Sequence, residues 1–375
     1  MSLHLHSSPS DPQDDGSQGS PFPLIDGATA TLDPLIRALA HKSRIVQNQE
    51  NSLEERFEAF EDIIDSEVGD TSMVRARNIE REFGIRQLYL KFEGSNPTGT
   101  QKDRIAFAQC MDALRRGYDT LSVATCGNYG VATALAASLA GLRCQVFIPE
   151  TYHTLRIEEM IRLGAGIVRV SGDYETAVKV SQESAARQEW YDANPGGANT
   201  LLQLQAYAEI AYEIYDELSD APKIVAVPVS NGTVLAGTYK GFVRLYRRGK
   251  TSRIPQMVAG SSFKKNPIIQ AFAQKKESCE DLDPAQIRET AINEPLINWH
   301  SFDGDWALEG IYQSDGWASG ISDKKMRAFA QLILQKEGIQ VLPASTVGLI
   351  ALIEQHQKQA FQPDRYVAVL TGRKS

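Results

Sequence analysis

The chain has 375 residues, of which 42% are hydrophobic and 23% charged, so it is long enough to build two lobes around a sizeable core. Its formal net charge of −8 argues against nucleic acid as a partner. No stretch approaches the roughly 20 apolar residues of a membrane span, so we expect no membrane partner either.

Residues 1–45 are predicted to form a disordered or helical N-terminal extension. Residues 1–28 are rich in Ser, Pro, Asp, Gln and Gly, a composition that cannot bury enough surface to order itself. Residues 31–47 have the apolar spacing of a helix. His4 and His6 in the extension could bind a metal ion, but two ligands in a flexible arm are too few, and we predict no metal site.

The four cysteines are Cys110, Cys126, Cys144 and Cys279, and they lie far apart without the spacing of metal ligands. Cys110 and Cys144 fall in apolar helix or strand patterns. This usage predicts reduced thiols and a cytoplasmic location. The first residues also lack the apolar core of a secretion signal.

The first segment with chemical content is residues 91–104, KFEGSNPTGTQKDR. Turn-forming residues precede a helix that Thr98 or Thr100 can cap, which places Lys102 in its first turn. Burial and the positive end of the helix would both lower the pKa of the Lys102 amine, so that it could attack an aldehyde. Taken alone, such a segment is more often an exposed helix lysine.

A second segment, residues 120–130, reads TLSVATCGNYG and precedes an alanine-rich helix at residues 131–140. The order is strand, tight loop and helix. Backbone N–H groups at such a helix start bind anions and would suit a substrate carboxylate. The Asn128 amide can also hydrogen-bond a ring hydroxyl. A plain left-handed turn at Gly127-Asn128 is an equally good explanation of this segment by itself.

A third segment, residues 223–233, is a predicted buried strand that leads into a polar loop and a helix. Its hydroxyl and N–H groups could surround a phosphate at the positive end of that helix. The residues concerned are Ser230, Asn231, Gly232 and Thr233. An ordinary loop between a strand and a helix has much the same sequence.

A fourth segment, residues 366–372, is a predicted strand whose carboxyl end offers the Thr371 hydroxyl. A neutral hydroxyl opposite a pyridine nitrogen would leave that nitrogen unprotonated, which suits elimination and replacement better than transamination. By itself, a threonine that merely ends a strand is the more common explanation.

Together and in this order, the four segments resemble the tryptophan synthase β family of pyridoxal phosphate enzymes, also called fold type II. Within it the chain resembles the threonine synthases most closely. The resemblance runs from about residue 68 to residue 372, and its best-matching stretches are GDTSMVRAR at residues 69–77 and NPTGTQKDR at residues 96–104.

The resemblance implies an α/β fold with two lobes built on open parallel sheets, as the alternation of strands and helices also indicates. Residues 46–104 and 216–375 would form the larger, cofactor-binding lobe. Residues 105–215 would form the smaller α/β lobe. Family resemblance also favours a homodimer.

The resemblance further implies roles for individual residues in binding pyridoxal 5′-phosphate and an amino-acid substrate. Lys102 would bind the cofactor as a Schiff base, Asn128 its phenolic oxygen, and Thr371 would face its pyridine nitrogen. Its phosphate would be held by Ser230, Asn231, Gly232 and Thr233. The substrate would meet Thr125, Cys126, Gly127, Asn128 and Tyr129.

Three departures from the family pattern bear on the substrate. Gln203 stands where threonine synthases carry an arginine that grips the substrate phosphate, and an amide cannot supply the charge-assisted fork of a guanidinium. Tyr129 replaces a threonine, and Cys126 replaces a serine. These changes bear on phosphohomoserine as the substrate without altering the cofactor site.

The sequence therefore predicts a pyridoxal phosphate-dependent lyase that acts on an amino acid. A threonine synthase-like enzyme, converting O-phosphohomoserine to threonine by β,γ-elimination and replacement, is the leading hypothesis. One alternative is a β-eliminating or β-replacing relative, such as a serine or threonine dehydratase or a synthase that uses O-phosphoserine. The other is a non-catalytic relative that binds the cofactor.

Overall fold

A computed structural model describes residues 32–125, 127–150, 152 and 156–374 of the chain. The predicted extension therefore lies mostly outside the described residues, which begin just before the first helix. Within the described part, the helices are α1 (Asp33–Gln47), α2 (Leu53–Glu67), α3 (Arg77–Phe83), α4 (Lys102–Arg115), α5 (Asn128–Ala140), α6 (Arg156–Arg162), α7 (Tyr174–Gln188), α8 (Thr200–Leu218), α9 (Thr233–Arg247), α10 (Pro267–Ala273), α11 (Gly304–Gln313), α12 (Asp323–Glu337) and α13 (Val347–Lys358).

The strands of the described part form two sheets. They are β1 (Met73–Arg75), β2 (Leu88–Phe92), β3 (Thr120–Ala124), β4 (Arg143–Pro149), β5 (Gly166–Val170), β6 (Tyr191–Asp192), β7 (Ile224–Pro228), β8 (Gln256–Ser262), β9 (Trp317–Ile321) and β10 (Tyr366–Leu370).

The larger sheet has six strands in the order β1-β2-β10-β7-β8-β9. β1 runs antiparallel to β2, and every other neighbouring pair is parallel. All five residues of β7 and of β10 are buried. Such continuous apolar runs are typical of parallel strands covered by helices on both faces.

The smaller sheet has four parallel strands in the order β5-β4-β3-β6. Its strands lie between residues 120 and 192, and those of the larger sheet lie outside that range. The lobe boundaries predicted near residues 105 and 216 stay a prediction.

Helix α8 packs closely on α9. The distance is so short that a Cβ added at Gly241 of α9 would lie 2.7 Å from the Ala208 carbonyl oxygen of α8.

Residues 344–357 do not form one continuous α-helix. Pro343–Thr346 is a 3-10 helix, and α13 begins only at Val347. The Thr346 hydroxyl donates a hydrogen bond of 2.7 Å to the Pro343 carbonyl oxygen. This local bond from a side chain to the backbone competes with α-helical hydrogen bonding.

A buried ion cluster links α4, α8 and the end of β2. The Arg104 guanidinium donates to both carboxylate oxygens of Glu93, at 2.6 and 2.9 Å, and to both of Glu213, at 2.6 and 2.8 Å. The Lys91 ammonium lies 2.5 Å from the Glu213 carboxylate and donates to the Thr71 carbonyl oxygen. The cluster therefore fixes the helix whose first residue is Lys102.

No described helix is long and apolar enough to cross a membrane. Among the described residues, no group of three or more His, Cys, Asp or Glu side chains is arranged to hold a metal ion. Cys110, Cys144 and Cys279 are free cysteines, and burial raises the pKa of each thiol above its ordinary value.

Candidate active site

A cavity of about 290 Å³ lies at the carboxyl ends of β3, β7 and β10, where ligands of parallel sheets bind. Every predicted site residue that the structure describes lines it. These residues are Lys102, Thr125, Gly127, Asn128, Tyr129, Ser230, Asn231, Gly232, Thr233 and Thr371. Cys126 lies outside the described residues, so its role stays a prediction.

Lys102 is the first residue of α4, as predicted, and its N–H donates to the Thr100 hydroxyl at 3.2 Å. Thr98 does not cap the helix; its N–H and hydroxyl both donate to the buried Asp103 carboxylate, at 3.0 and 2.9 Å. The Lys102 Nζ lies 5.2 Å from the centre of the Tyr129 ring. The amine therefore projects into the space between α4 and α5.

Burial lowers the pKa of Lys102 from 10.5 to about 8, while the charge of Asp303 opposes this effect. A pKa near 8 leaves about a tenth of the amine neutral at pH 7. Burial was one of the two predicted causes, and the effect of the helix end on this pKa stays a prediction. The lowered pKa gives the amine a neutral fraction that a nucleophile or a general base requires.

Asp303 was not predicted from the sequence, although it lies directly behind the predicted phosphate loop. It is 1% exposed, and its carboxylate accepts a hydrogen bond of 2.5 Å from the Thr233 hydroxyl. Burial raises the pKa of Asp303. An aspartate just before α11 suggests a helix cap, but its side chain makes no capping hydrogen bond there. Its role is therefore set by the tertiary fold.

The loop between β7 and α9 has the features of an anion site. Gly232 precedes α9, has a φ of +97°, and no described side chain caps the helix start. The backbone of Gly232 lies so close to the backbone at Asp303 that an added Cβ would be 2.8 Å from the Asp303 carbonyl oxygen. The uncapped N–H groups of α9 and the Ser230 hydroxyl thus fit a phosphate.

Two polar side chains lie on other sides of the cavity. The Asn128 Oδ1 atom accepts a hydrogen bond of 3.0 Å from Arg156, which orients the amide. The Thr371 hydroxyl lies 3.2 Å from the hydroxyl of Ser345. Both groups are neutral hydrogen-bonding partners, as expected of residues that would contact a hydroxyl and a ring nitrogen.

Gln203 is 1% exposed, and its amide is occupied by the protein itself. Its Nε2 atom donates to the Gln109 side-chain oxygen at 3.1 Å and to the Asn194 carbonyl oxygen at 3.0 Å. The Gln109 amide nitrogen in turn donates to the Tyr129 hydroxyl, which donates to the Ala193 carbonyl oxygen at 2.7 Å. Gln203 therefore supports the cavity wall and supplies no cation.

Acidic and aromatic residues that sequence reasoning missed also line the cavity. The Trp299 indole N–H donates to the Asp173 carboxylate at 2.8 Å, and the Trp299 backbone N–H donates to Glu175 at 3.0 Å. Asp173 was readable as the cap of α7, since its side chain accepts from the Thr176 N–H. Its contact with a loop near residue 299 has no local sequence signal.

The family model for pyridoxal-phosphate dependent enzymes matches residues 64–372 of the chain. The threonine synthase of Methanocaldococcus jannaschii is 30% identical over 307 residues, which cover 81% of this chain and 74% of that protein. The threonine synthase of Halalkalibacterium halodurans is 29% identical over 311 residues, covering 81% and 82% of the two chains.

Solved structures of low sequence identity share the fold. Maize serine racemase superposes with a TM-score of 0.70 at 17% identity, covering 85% of this chain and 92% of that one. Threonine deaminase isoform 2 of Solanum lycopersicum gives a TM-score of 0.68 at 15% identity, covering 86% and 90%. The predictions of fold class, cofactor and enzyme class are confirmed. The chain belongs to the family of pyridoxal-phosphate dependent enzymes, as a threonine synthase-like lyase of fold type II.

Proposed function

We propose that the protein eliminates or replaces a substituent at the β- or γ-carbon of an amino acid, with Lys102 as the cofactor-binding and proton-transferring residue. The observation that carries this proposal is a lysine at the start of α4 that lines the cavity with a pKa lowered to about 8. The same cavity is lined by a helix start that suits a phosphate. It is also lined by neutral polar groups that suit a pyridine ring.

The residues present fit pyridoxal phosphate. The backbone at Gly232 and Thr233 and the Ser230 hydroxyl would hold the phosphate, Asn128 the phenolic oxygen, and Thr371 the pyridine nitrogen. When bound there, the cofactor supplies an electron sink for charge that develops at the substrate α-carbon. A neutral Thr371 hydroxyl favours elimination and replacement, since it does not hold a proton on the ring.

The protein contributes proton transfer, orientation and exclusion of water. The neutral Lys102 amine would accept the proton from the α-carbon and return a proton later in the reaction. The N–H groups at the start of α5, near Gly127 and Asn128, would orient the substrate carboxylate. Trp299 would shield the cavity, because its hydrogen bonds to Asp173 and Glu175 connect its loop to helix α7.

A threonine synthase-like reaction on O-phosphohomoserine is supported by the relatives in sequence. A β-eliminating or β-replacing reaction is the second candidate, and the occupied amide of Gln203 favours it. Visible spectra of the loaded protein during titration with O-phosphohomoserine, serine, O-phosphoserine and threonine separate the two. If none of the four compounds shifts the spectrum and none is turned over, both candidate reactions are refuted.

The protein is further proposed to be a cytoplasmic homodimer. The dimer is supported by the resemblance to its family, and the reducing compartment by the buried thiols of Cys110 and Cys144. Light scattering of the loaded protein should give twice the mass of one chain. The mass of a single chain would contradict the dimer.

The pKa of Lys102 predicts how cofactor loading depends on pH. Only the neutral amine attacks the cofactor aldehyde, so the loading rate of the apoprotein should rise about tenfold per unit up to pH 8 and then level off. Stopped-flow absorbance across pH 6 to 10.5 tests this. A rate that continues to rise to pH 10.5 would mean that the amine keeps its ordinary pKa.

Replacing Gly232 by alanine should weaken cofactor binding by about tenfold or more, because the new methyl group would displace the phosphate loop from Asp303. Fluorescence titration of the apoprotein with pyridoxal phosphate measures the effect. Gly249→Ala is the matched control: its φ is +66°, yet nothing lies within 4 Å of an added Cβ. Equal losses of affinity would show that crowding at the loop is unimportant.

A further inference from the structure

The walls of the active-site cavity carry an uneven balance of charge. Among the described lining residues, Lys102 is the one basic side chain. Four lining residues are acidic: Asp173, Glu175, Glu289 and Glu294. No ion pair joins any of these four carboxylates to a described lysine, arginine or histidine. Within the described part of the chain, the acidic groups of this wall therefore have no ion-paired counter-charge.

Neutral groups donate hydrogen bonds to Asp173, Glu175 and Glu294, but none of these donors brings a positive charge. One oxygen of Glu175 accepts the backbone N–H groups of Trp299 and His300, at 3.0 and 3.4 Å. Burial raises the pKa of Glu294 to about 7, although a hydrogen bond from Tyr152 lowers it. A buried carboxylate without a cation is costly to keep charged, and a cation brought by a ligand would relieve that cost.

Glu289 belongs to the same wall and repels Glu294. Burial raises its pKa, and the charge of Glu289 raises the pKa of Glu294 further. Both residues come from the segment between α10 and α11, whereas Glu175 comes from α7. The acidic groups thus approach the cavity from two different parts of the fold.

Among the described residues that line the cavity, a second anionic group would meet no basic side chain other than Lys102. The cofactor phosphate already brings negative charge to the loop before α9. Gln203 is bound to Gln109 and to the backbone, as described above. Arg156, which contacts Asn128, is paired with Glu159. Within the described part of the cavity, a substrate phosphate would therefore face carboxylates.

An independent feature also indicates a polar ligand. Tyr207 lines the cavity and is fully buried, and its hydroxyl has no hydrogen-bond partner among the described residues. Buried hydroxyls are nearly always hydrogen-bonded in folded proteins. A ligand with its own polar groups would supply the missing bond.

We propose that the substrate is an α-amino acid whose side chain carries a positive charge, an amino or guanidino group, which binds at the wall formed by Glu175, Glu289 and Glu294. The inference rests on the proposed function, because the α-amino group is what a pyridoxal phosphate lyase acts on. It refines that function by assigning the chemical class of the substrate side chain.

Three amino acids of similar length test the charge directly. L-ornithine ends in an ammonium group, L-norvaline in a methyl group and L-glutamate in a carboxylate. Each is titrated into the cofactor-loaded protein, and binding is followed by calorimetry and by the visible spectrum. Ornithine should bind about tenfold more tightly than norvaline, since a charge-assisted hydrogen bond is gained, and glutamate should bind most weakly.

Variants of the acidic wall test whether it causes the preference for ornithine over norvaline. Glu294→Gln and Glu289→Gln should each reduce the ratio of ornithine to norvaline affinity by about fivefold or more. Glu183→Gln is the matched control, because Glu183 is an exposed residue of α7 outside the cavity. Circular dichroism of each variant verifies that it is folded.

The outcomes separate this inference from the proposed function. Equal or tighter binding of norvaline or glutamate, with a normal cofactor band, would overturn the substrate class and leave the lyase assignment intact. An unchanged ratio in both glutamine variants would overturn the role of the wall. The lack of a cofactor band in the unmodified protein would overturn the proposed function and this inference together.

Discussion

The Lys102→Ala variant should lose the visible absorption band of bound cofactor, and its turnover should fall by about 10³-fold or more, the upper part of the range for general base catalysis. Both losses have one cause: the amine that lines the cavity with a pKa of about 8 is the group proposed to bind the aldehyde and to move the α-proton. Absorbance after dialysis against pyridoxal phosphate and a steady-state assay measure the two effects.

Lys240→Ala is the control for removal of a lysine. Lys240 lies in the middle of α9, its Nζ is 3.8 Å from the centre of the Trp306 ring, and the residue does not line the cavity. That variant should keep its chromophore and its activity. Full activity of Lys102→Ala would refute the assignment of Lys102, provided that the variant contains no unmodified protein.

The Arg104→Met variant should lose about 3–5 kcal/mol of unfolding free energy, because it leaves the buried Glu93 carboxylate without its cation. Arg104 is 4% exposed and forms four hydrogen bonds of 2.9 Å or less with Glu93 and Glu213. Burial alone would raise the pKa of Glu213, but Arg104 and Lys91 lower it to about 2. Urea unfolding followed by circular dichroism gives the free energy.

Arg143→Met is the matched control for this variant. Arg143 pairs with Asp119 at 2.7 Å, yet the two side chains are 67% and 72% exposed. Water and salt screen such a pair, so its loss should cost less than about 1 kcal/mol. If the two methionine variants lose the same unfolding free energy, burial does not determine how much the Arg104 cluster contributes to stability.

The parts of the site with a local signature could be predicted from the sequence. A run of apolar residues that ends in small polar residues indicates a buried strand and a loop, and this pattern locates Thr125, Ser230 and Thr371 correctly at the cavity. Lys102 was predicted at a helix start for the same reason, since the turn before α4 is encoded by neighbouring residues. Side-chain roles at these positions remain predictions.

The charge of the cavity walls could not be predicted, because it depends on long-range contacts. Glu289 and Glu294 come from a segment with little regular structure, so no periodicity marks them as lining the cavity. Asp303 has the sequence position of a helix cap, but the fold places its carboxylate against Thr233. Gln203 was recognised as a departure from the family, whereas its hydrogen bond to Gln109 required the packing of α8 on α4.

The central claim is that Lys102 carries the cofactor, and borohydride reduction of the loaded protein followed by peptide mass spectrometry tests it most directly. Reduction attaches the pyridoxyl group permanently to the lysine that holds it, so the labelled peptide identifies that lysine without the use of any substrate. We expect the label on the peptide that contains Lys102 and on no other. A label on Lys91, Lys240 or another lysine, or no label at all, would contradict the account.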